Sequence, residues 1–349
     1  MFDNSDRTEL TQLGEFGLIQ HLTQHFENQH KSTLLGVGDD AALIKFGTKI
    51  AVWSTDMMVE GVHFDLSYTP LKHLGYKAIA SNVSDVCAMN GKAAQVLVSV
   101  ALSNRFSLEA IEELYLGMKI ACDKYQVDLV GGDTSTSRSG LVINVTVLGE
   151  VDAKKITKRS GAKPGDLLVV SGDLGGAYMG LQILEREKRV FLEHPNMQPD
   201  LEPYDYIVGR QLKPEARVDI IETLNELNIV PTSMMDISDG VASEVFHLGK
   251  ASNVGFDIYE NKLPIDSQTM ETAMTFNLNP SIVALNGGED YELLMTIDQK
   301  HYDQIKNHMD FTIIGHATAM EGKHQLHTNA GNVFDIKAQG WQHFKQEEK

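Results

Sequence analysis

Five stretches of this chain set an aspartate beside glycine, serine or threonine next to an apolar run. They are GVGDDAALI (36–44), STDMMVEGVHF (54–64), NVSDVCAMNG (82–91), VGGDTSTS (130–137) and MMDISDG (234–240). One such pair is ordinary, because Asp, Asn, Ser and Gly favour turns and helix caps. Their recurrence asks for more. Asp40, Asp56, Asp85, Asp133, Asp236 and Asp239 are all expected where an apolar segment ends, and elements of one sheet or interface tend to end together. Carboxylates gathered in one cleft lose hydration and repel one another, so they require cations. Oxygen ligands with few histidines or cysteines beside them select Mg2+ or Mn2+ over zinc. Magnesium keeps several waters and binds through a few carboxylates plus substrate phosphates. The pattern therefore points to a multi-metal polyphosphate site.

Other motifs qualify that chemistry. No Walker A loop is present, nor the H-R-D and D-F-G set of protein kinases. SGDLGGAYMG (171–180) reads as a strand-to-helix turn without G-x-G-x-x-G spacing, and the helix N-terminus after it is a second, weaker place for a phosphate. Lys154, Lys155, Lys158, Arg159 and Lys163 form a basic stretch that ordinarily would be a solvated surface. Arg159 is the best candidate among them for a phosphate, because guanidinium pairs bidentately with its oxygens. In LNGGEDYELLMTI (285–297), Glu289 and Asp290 follow a double glycine and read as acids at a strand-entry turn. His63, in EGVHF, fits a structural histidine or a ligand contact. Trp341, in GWQHF, fits a core-edge plug or a ring stacked on a heterocycle.

The 349 residues carry 42% apolar and 22% charged residues, which suits two soluble domains with sizeable cores. A formal charge of -18 argues against nonspecific nucleic-acid binding, which depends on basic surface. It also means that a phosphate ligand would need metal ions beside it. Cys87 and Cys122 show no zinc or disulfide spacing, so a reducing compartment is expected. The first residues, MFDNSDRTEL, lack a basic flank and an apolar core, and no stretch has the length of a membrane span. A cytoplasmic protein with no membrane partner is the expectation.

These side chains need elements to position them. GEFGLIQHLTQHF (14–26) has helical periodicity, and AALIKF and KIAVWSTDM read as strands. LKHLGYKAIASNVSDVCAMNG reads as a buried helix that stops at Asn90 and Gly91. AAQVLVSVAL is a strand, and Ser107 caps the helix SLEAIEELYLGMKIACDKYQ, whose apolar stripe takes Cys122. VDLVGGDTSTS and GLVINVTVLGEV add strands in pairs, which favours an α+β sandwich over a doubly wound sheet. The basic, turn-rich DAKKITKRSGAKPGD (152–166) marks the domain boundary, giving domains 1–152 and 153–349. Beyond it, LLVVSGDLGGAYMGLQIL and SMMDISDGVASEVFHLGKAS each read as strand, turn and helix. VGRQLKPEARVDIIETLNEL adds a helix after a proline, and VGFDIY, ELLMTI and FTIIGHAT add strands of a second α/β domain.

Taken together, GVGDDAAL, STDMMVEGVHF, NVSDVCAM, GGDTSTS, RSGAKPGD, MDISDG and GGEDYEL resemble the thiamine-monophosphate kinase family, in order and over nearly the whole chain. GDD and SDG are shared with the wider aminoimidazole ribonucleotide synthetase-like superfamily, while EGVHF and GGEDYEL are more specific. The resemblance implies a two-domain fold, α+β and α/β, whose N-terminal sheets pair across a homodimer. It implies the reaction of ATP with thiamine monophosphate to give ADP and thiamine diphosphate, by direct in-line transfer with several Mg2+ ions. By similarity, Asp40, Ser54, Thr55, Asp56, Asp85, Asp133, Asp236 and Asp239 match metal positions. Tyr115, Gly132, Arg159 and Ser238 match ATP positions, and His63, Glu289 and Trp341 match substrate positions. The chain departs from the usual pattern at SDVCAMNGKA, where Cys87 and Asn90 replace smaller residues. Alternatives are another ATP-dependent superfamily enzyme acting on a purine intermediate or on selenide, and a catalytically silent nucleotide-binding protein. Within the first, selenide activation loses weight because no cysteine precedes Cys87. The second loses weight because buried acids without metal only destabilise.

Overall fold

The computed structural model describes residue 20 and residues 31–35 and 38–338. Apart from residue 20, which is helical, the helix expected over 14–26 lies outside the described residues, as does Trp341.

The first sheet comprises β1 (Thr33–Leu35), β2 (Ala42–Phe46), β3 (Lys49–Val59), β4 (Lys92–Leu102), β5 (Asp128–Thr136) and β6 (Val142–Val151), ordered β1-β2-β3-β6-β4-β5. Every neighbouring pair is antiparallel except β4 and β5. Strand β6 shows why the sheet has a covered face: Ile143, Val145 and Val147 are buried, whereas Asn144, Thr146 and Leu148, alternating with them, are half-buried. Helices α1 (Leu71–Ala88) and α2 (Leu108–Tyr125) cross with glycine at the contact. A methyl group on Gly75 would fall 1.9 Å from the Leu114 carbonyl oxygen, and one on Gly117 would fall 1.8 Å from that of Lys72. Ser107 caps α2 by accepting from the Ala110 amide at 3.3 Å. After α1, Asn90 takes the left-handed φ of 58° and its side-chain Nδ2 donates to the Lys155 carbonyl at 2.8 Å.

The second sheet comprises β7 (Leu167–Ser171), β8 (Ser233–Asp236), β9 (Gly255–Tyr259), β10 (Leu293–Ile297), β11 (Phe311–Thr318), β12 (His324–His327) and β13 (Val333–Asp335), ordered β13-β12-β9-β11-β7-β10-β8. Only β9 and β12 run parallel among its pairs. Strands β7, β8 and β10 are buried at every residue, so both faces are covered. Alternate residues divide between two cores. Val169, Met234 and Met295 join Val83, Val86 and Val145 of the first half, while Leu168, Val170, Met235 and Leu294 face the opposite way. Helix α1 thus lies between the sheets, which is why it is buried nearly all round rather than along one stripe.

The other helices that matter are α3 (Gly176–Glu193), α4 (Asp205–Leu212), α5 (Val218–Glu226) and α6 (Val241–Ser252). The helix expected after Pro214 is α5, and a separate helix, α4, precedes that proline, which cannot donate to a continuing ladder. Two expectations about strand ends change. Strand β3 runs on through Asp56 to Val59 and β5 through Asp133 to Thr136, so those aspartates lie within strands. Among the described residues, no helix is long and apolar enough to cross a membrane.

Candidate functional site

Three separate segments deliver carboxylates to one point. Asp40 precedes β2, Asp85 lies in the last turn of α1, and Asp236 ends β8; oxygens of all three lie within 4.8 Å of one another. Serines hold two of them. Ser54 Oγ donates to Asp85 at 2.6 Å and to the Asp40 carbonyl at 3.2 Å, and Ser84 Oγ donates to Asp236 at 2.6 Å. Arg159 grips Asp40 with two guanidinium nitrogens at 3.0 and 2.8 Å, while its backbone amide donates to Asp39 at 3.3 Å.

The electrostatics follow from that crowding. Burial first, then the charges of Asp56 and Asp236, push the Asp85 carboxyl well above its ordinary range. Burial and the neighbouring Asp40 raise Asp236 to about 7, and burial with Asp40 raises Asp39 to about 6. The hydroxyls and Arg159 oppose these shifts without cancelling them. An all-oxygen donor set, buried and compensated by so little positive charge, fits a hard divalent cation such as Mg2+.

The sequence-expected residues distribute around this cluster. Asp56 shares a face of β3 with Ser54, two residues away, and its charge acts on Asp85 and Asp236. Thr55 faces the other side, where its hydroxyl donates to the Val145 carbonyl at 3.0 Å and meets Thr146 Oγ1 at 2.9 Å. Ser238 and Asp239 form the turn after Asp236. Their amides both donate to Glu244 Oε1, at 3.1 and 2.9 Å. Glu244 is 1% exposed, and burial followed by the charge of Asp239 holds its carboxyl well above the usual range. Sequence reasoning missed this residue. Its signal was an acid in the first turn of a helix that follows an S-D-G turn.

His63 sits in the turn that ends β3, accepting the Val59 amide on Nδ1 at 3.0 Å, which leaves the ring proton on Nε2. Its loop is clasped to α3 by Lys188 to Asp65 at 2.5 Å and by the Tyr68 hydroxyl to Glu185 at 2.8 Å. Glu289 is strapped to the Ser238 turn by its amide, 2.7 Å from the Ser238 carbonyl, and both Glu289 and Tyr291 adopt left-handed φ, 65° and 52°. Its carboxylate meets Lys77 Nζ at 2.7 Å and Gln211 Nε2 at 2.7 Å. Neither Lys77 nor Gln211 carried any motif signal.

Two departures bear on phosphate binding. The amides of Gly175 and Ala177, at the start of α3, donate to Asp290 at 2.6 and 3.2 Å, so a carboxylate of the chain itself fills the helix end considered for a phosphate. Second, Tyr115, Gly132 and Asp133 come together, with Val98, Leu129 and Val130, around a groove of about 460 Å³. Within this chain the groove stands apart from the aspartate cluster, because β6 and β4 intervene between β3 and β5.

Similarity to known proteins bears on this geometry. The family model described as AIR synthase related protein, N-terminal domain, matches residues 38–151, and its C-terminal counterpart matches residues 163–324. A thiamine-monophosphate kinase of Bacillus subtilis is 35% identical over 341 residues, covering 95% of this chain and 100% of the relative. One from Aquifex aeolicus is 34% identical over 340 residues, covering 96% and 99%. Among solved structures, one described as "AaThiL complexed with AMPPCP and TMP" superposes with a TM-score of 0.82 at 33% identity, covering 97% of this chain and 100% of that one. A hydrogenase maturation protein HypE, at 19% identity and a TM-score of 0.67 over 94% of this chain and 97% of its own, shares the fold.

Proposed function

Since this chain belongs to the thiamine-monophosphate kinase family, we propose that it transfers the γ-phosphoryl group of ATP directly to the phosphate of thiamine monophosphate, releasing ADP and thiamine diphosphate. The observation that carries this reading is the buried convergence of Asp40, Asp85 and Asp236 within 4.8 Å, with Arg159 on Asp40. Phosphoryl transfer asks a protein mainly for positioning and charge neutralisation. Bound Mg2+ supplies neutralisation of the polyphosphate and of the charge that builds up on transfer. Asp40, Asp56, Asp85 and Asp236 would hold the ions, with Ser54, Asp133 and Asp239 as further oxygen donors. Thr55 can take part only through its main chain, since its hydroxyl is bonded on the opposite face.

The chain's own residues do the rest. Ser54 and Ser84 fix the carboxylates of Asp85 and Asp236, so the donor oxygens do not reorganise when ligands arrive. Arg159, half-buried beside Asp40, offers a fork suited to phosphate oxygens. Tyr115 and Gly132 supply a groove and Ser238 a turn hydroxyl for the nucleotide. His63, with Nε2 as donor, and Glu289 bind the acceptor together with Trp341. The acceptor's phosphate is itself the nucleophile, so no strong base is required of the chain.

The reading extends to assembly. Two copies would pair through the open face of the first sheet, where Trp53, Met57 and Leu97 are 47%, 54% and 46% exposed. The division into domains 1–152 and 153–349 is supported by each sheet being drawn from one side of it. The same reading implies a cytoplasmic enzyme. The test is steady-state ADP release with ATP and Mg2+, comparing thiamine monophosphate, thiamine and no acceptor. Turnover confined to the monophosphate supports the assignment. Equal rates without acceptor, or nucleotide binding without turnover, would replace it with an ATPase-like relative or a silent binding protein.

A further inference from the structure

Lys77 is a charged residue that the reaction as described leaves unused. It lies on α1, and its side chain is 5% exposed. Burying an ammonium is unfavourable unless it is paired and hydrogen-bonded. Here Nζ meets Glu289 Oε1 at 2.7 Å and donates to the Gln211 carbonyl at 3.1 Å. The other carboxylate oxygen, Oε2, accepts from Gln211 Nε2 at 2.7 Å. Lys77 and Gln211 therefore clamp Glu289 from two sides, one from each half of the chain. The Glu289 side chain nevertheless keeps 31% of its surface open. Its backbone is held at φ 65°, a conformation non-glycine residues rarely adopt, by the bond to the Ser238 carbonyl. Apolar side chains would glue the two halves together more cheaply than a buried pair whose acid stays half-open.

Position along the helix supplies the second half of the inference. Ser84 and Asp85 follow Lys77 by seven and eight residues, which returns them to the same face of α1 two turns on. At 1.5 Å per residue the separation is about 11 Å along the axis, comparable to a two-ring cation carrying a phosphate on a short arm. An anionic phosphate is repelled by Glu289 and belongs at the metal end. A cationic, hydrogen-bond-donating heterocycle is attracted to Glu289. We propose that Lys77 is a positioning residue for acceptor recognition: it fixes Glu289 to receive the heterocyclic cation while the acceptor's phosphate reaches the aspartate cluster two turns along the same helix. This deepens, and rests on, the reading of Glu289 as an acceptor ligand.

The test compares Glu289→Gln, Lys77→Met, Gln211→Met and the double variant Lys77→Met/Glu289→Gln in the full chain. The readouts are KM for thiamine monophosphate, KM for ATP, binding of a nonhydrolysable ATP analogue and the thermal midpoint. Glu289→Gln and Lys77→Met each raise the acceptor KM by about tenfold or more, and Gln211→Met by several-fold, as expected when a charged hydrogen bond is lost. KM for ATP stays within about twofold, and the double variant is no worse than the poorer single one. An unchanged acceptor KM in Glu289→Gln overturns the reading of Glu289 itself. A raised KM in Glu289→Gln, with Lys77→Met and Gln211→Met lowering only the thermal midpoint, overturns the role of Lys77 alone. If Lys77→Met does not fold, Gln211→Met decides between the same two outcomes.

Discussion

Replacing Asp236 with asparagine should stabilise the metal-free protein while crippling turnover. Asp236 is 4% exposed, and in the folded chain its pKa rises from 3.8 to about 7, through burial and then the charge of Asp40. The folded value lies above the unfolded one, so the stability this group contributes is fully present below about pH 4 and is lost as pH rises through about 7. A shift of three units corresponds to roughly 4 kcal/mol at pH 8. Asparagine keeps an acceptor for Ser84 Oγ, 2.6 Å away, and removes the charge. Relaxation around the remaining acids reduces the gain, and about 1–3 kcal/mol is expected. Unfolding would be followed at pH 8 in chelator and again in excess Mg2+. In chelator the variant melts a few degrees above wild type; added Mg2+ raises the wild-type midpoint and raises the variant's much less, and turnover falls by about a hundredfold or more. A variant that is less stable in chelator, or that gains as much from Mg2+ as wild type, would show that Asp236 is structural and refute the metal assignment.

Arg159→Lys replaces the fork on Asp40 with a point charge and should raise KM for ATP by about tenfold, with circular dichroism unchanged; an unaltered KM would remove Arg159 from the nucleotide site. Gly132→Ala puts a methyl group 1.8 Å from the Val98 carbonyl oxygen, so β5 must shift. Calorimetry with a nonhydrolysable ATP analogue should show binding at least about tenfold weaker, and unchanged affinity would place the nucleotide elsewhere. Asp290, raised to about 6 mainly by burial, contributes stability that is present below about pH 4 and lost as pH rises through 6. Asp290→Asn should therefore flatten the fall of urea stability between pH 4 and 7, and parallel profiles for the two proteins would contradict the assignment.

The strands and long helices were legible because their side chains carry local periodicity. Ser107 announced a helix start and Asn90 a helix stop, and both act as such. The acids of the centre were legible by type and recurrence, and Asp40, Asp85 and Asp236 do meet. What escaped depends on contacts distant in sequence. Lys77 and Gln211 are unremarkable where they stand in the chain, and their partner Glu289 lies 78 residues beyond Gln211. Asp290 resembles a turn acid until β10 is placed beside β7, which aims it at the amides of Gly175 and Ala177. Asp133 shows what strand order adds to a motif. Its motif matches the others, yet within one chain β6 and β4 stand between its strand and β3.

The most direct measurement is rapid-quench transfer from γ-labelled ATP to thiamine monophosphate in Mg2+, with small molecules and protein separated after a single turnover. Direct transfer at the aspartate cluster predicts label appearing in thiamine diphosphate at the rate ADP forms, with none on the protein. Label trapped on the chain before it reaches product, or released as inorganic phosphate with the acceptor unchanged, would contradict the account.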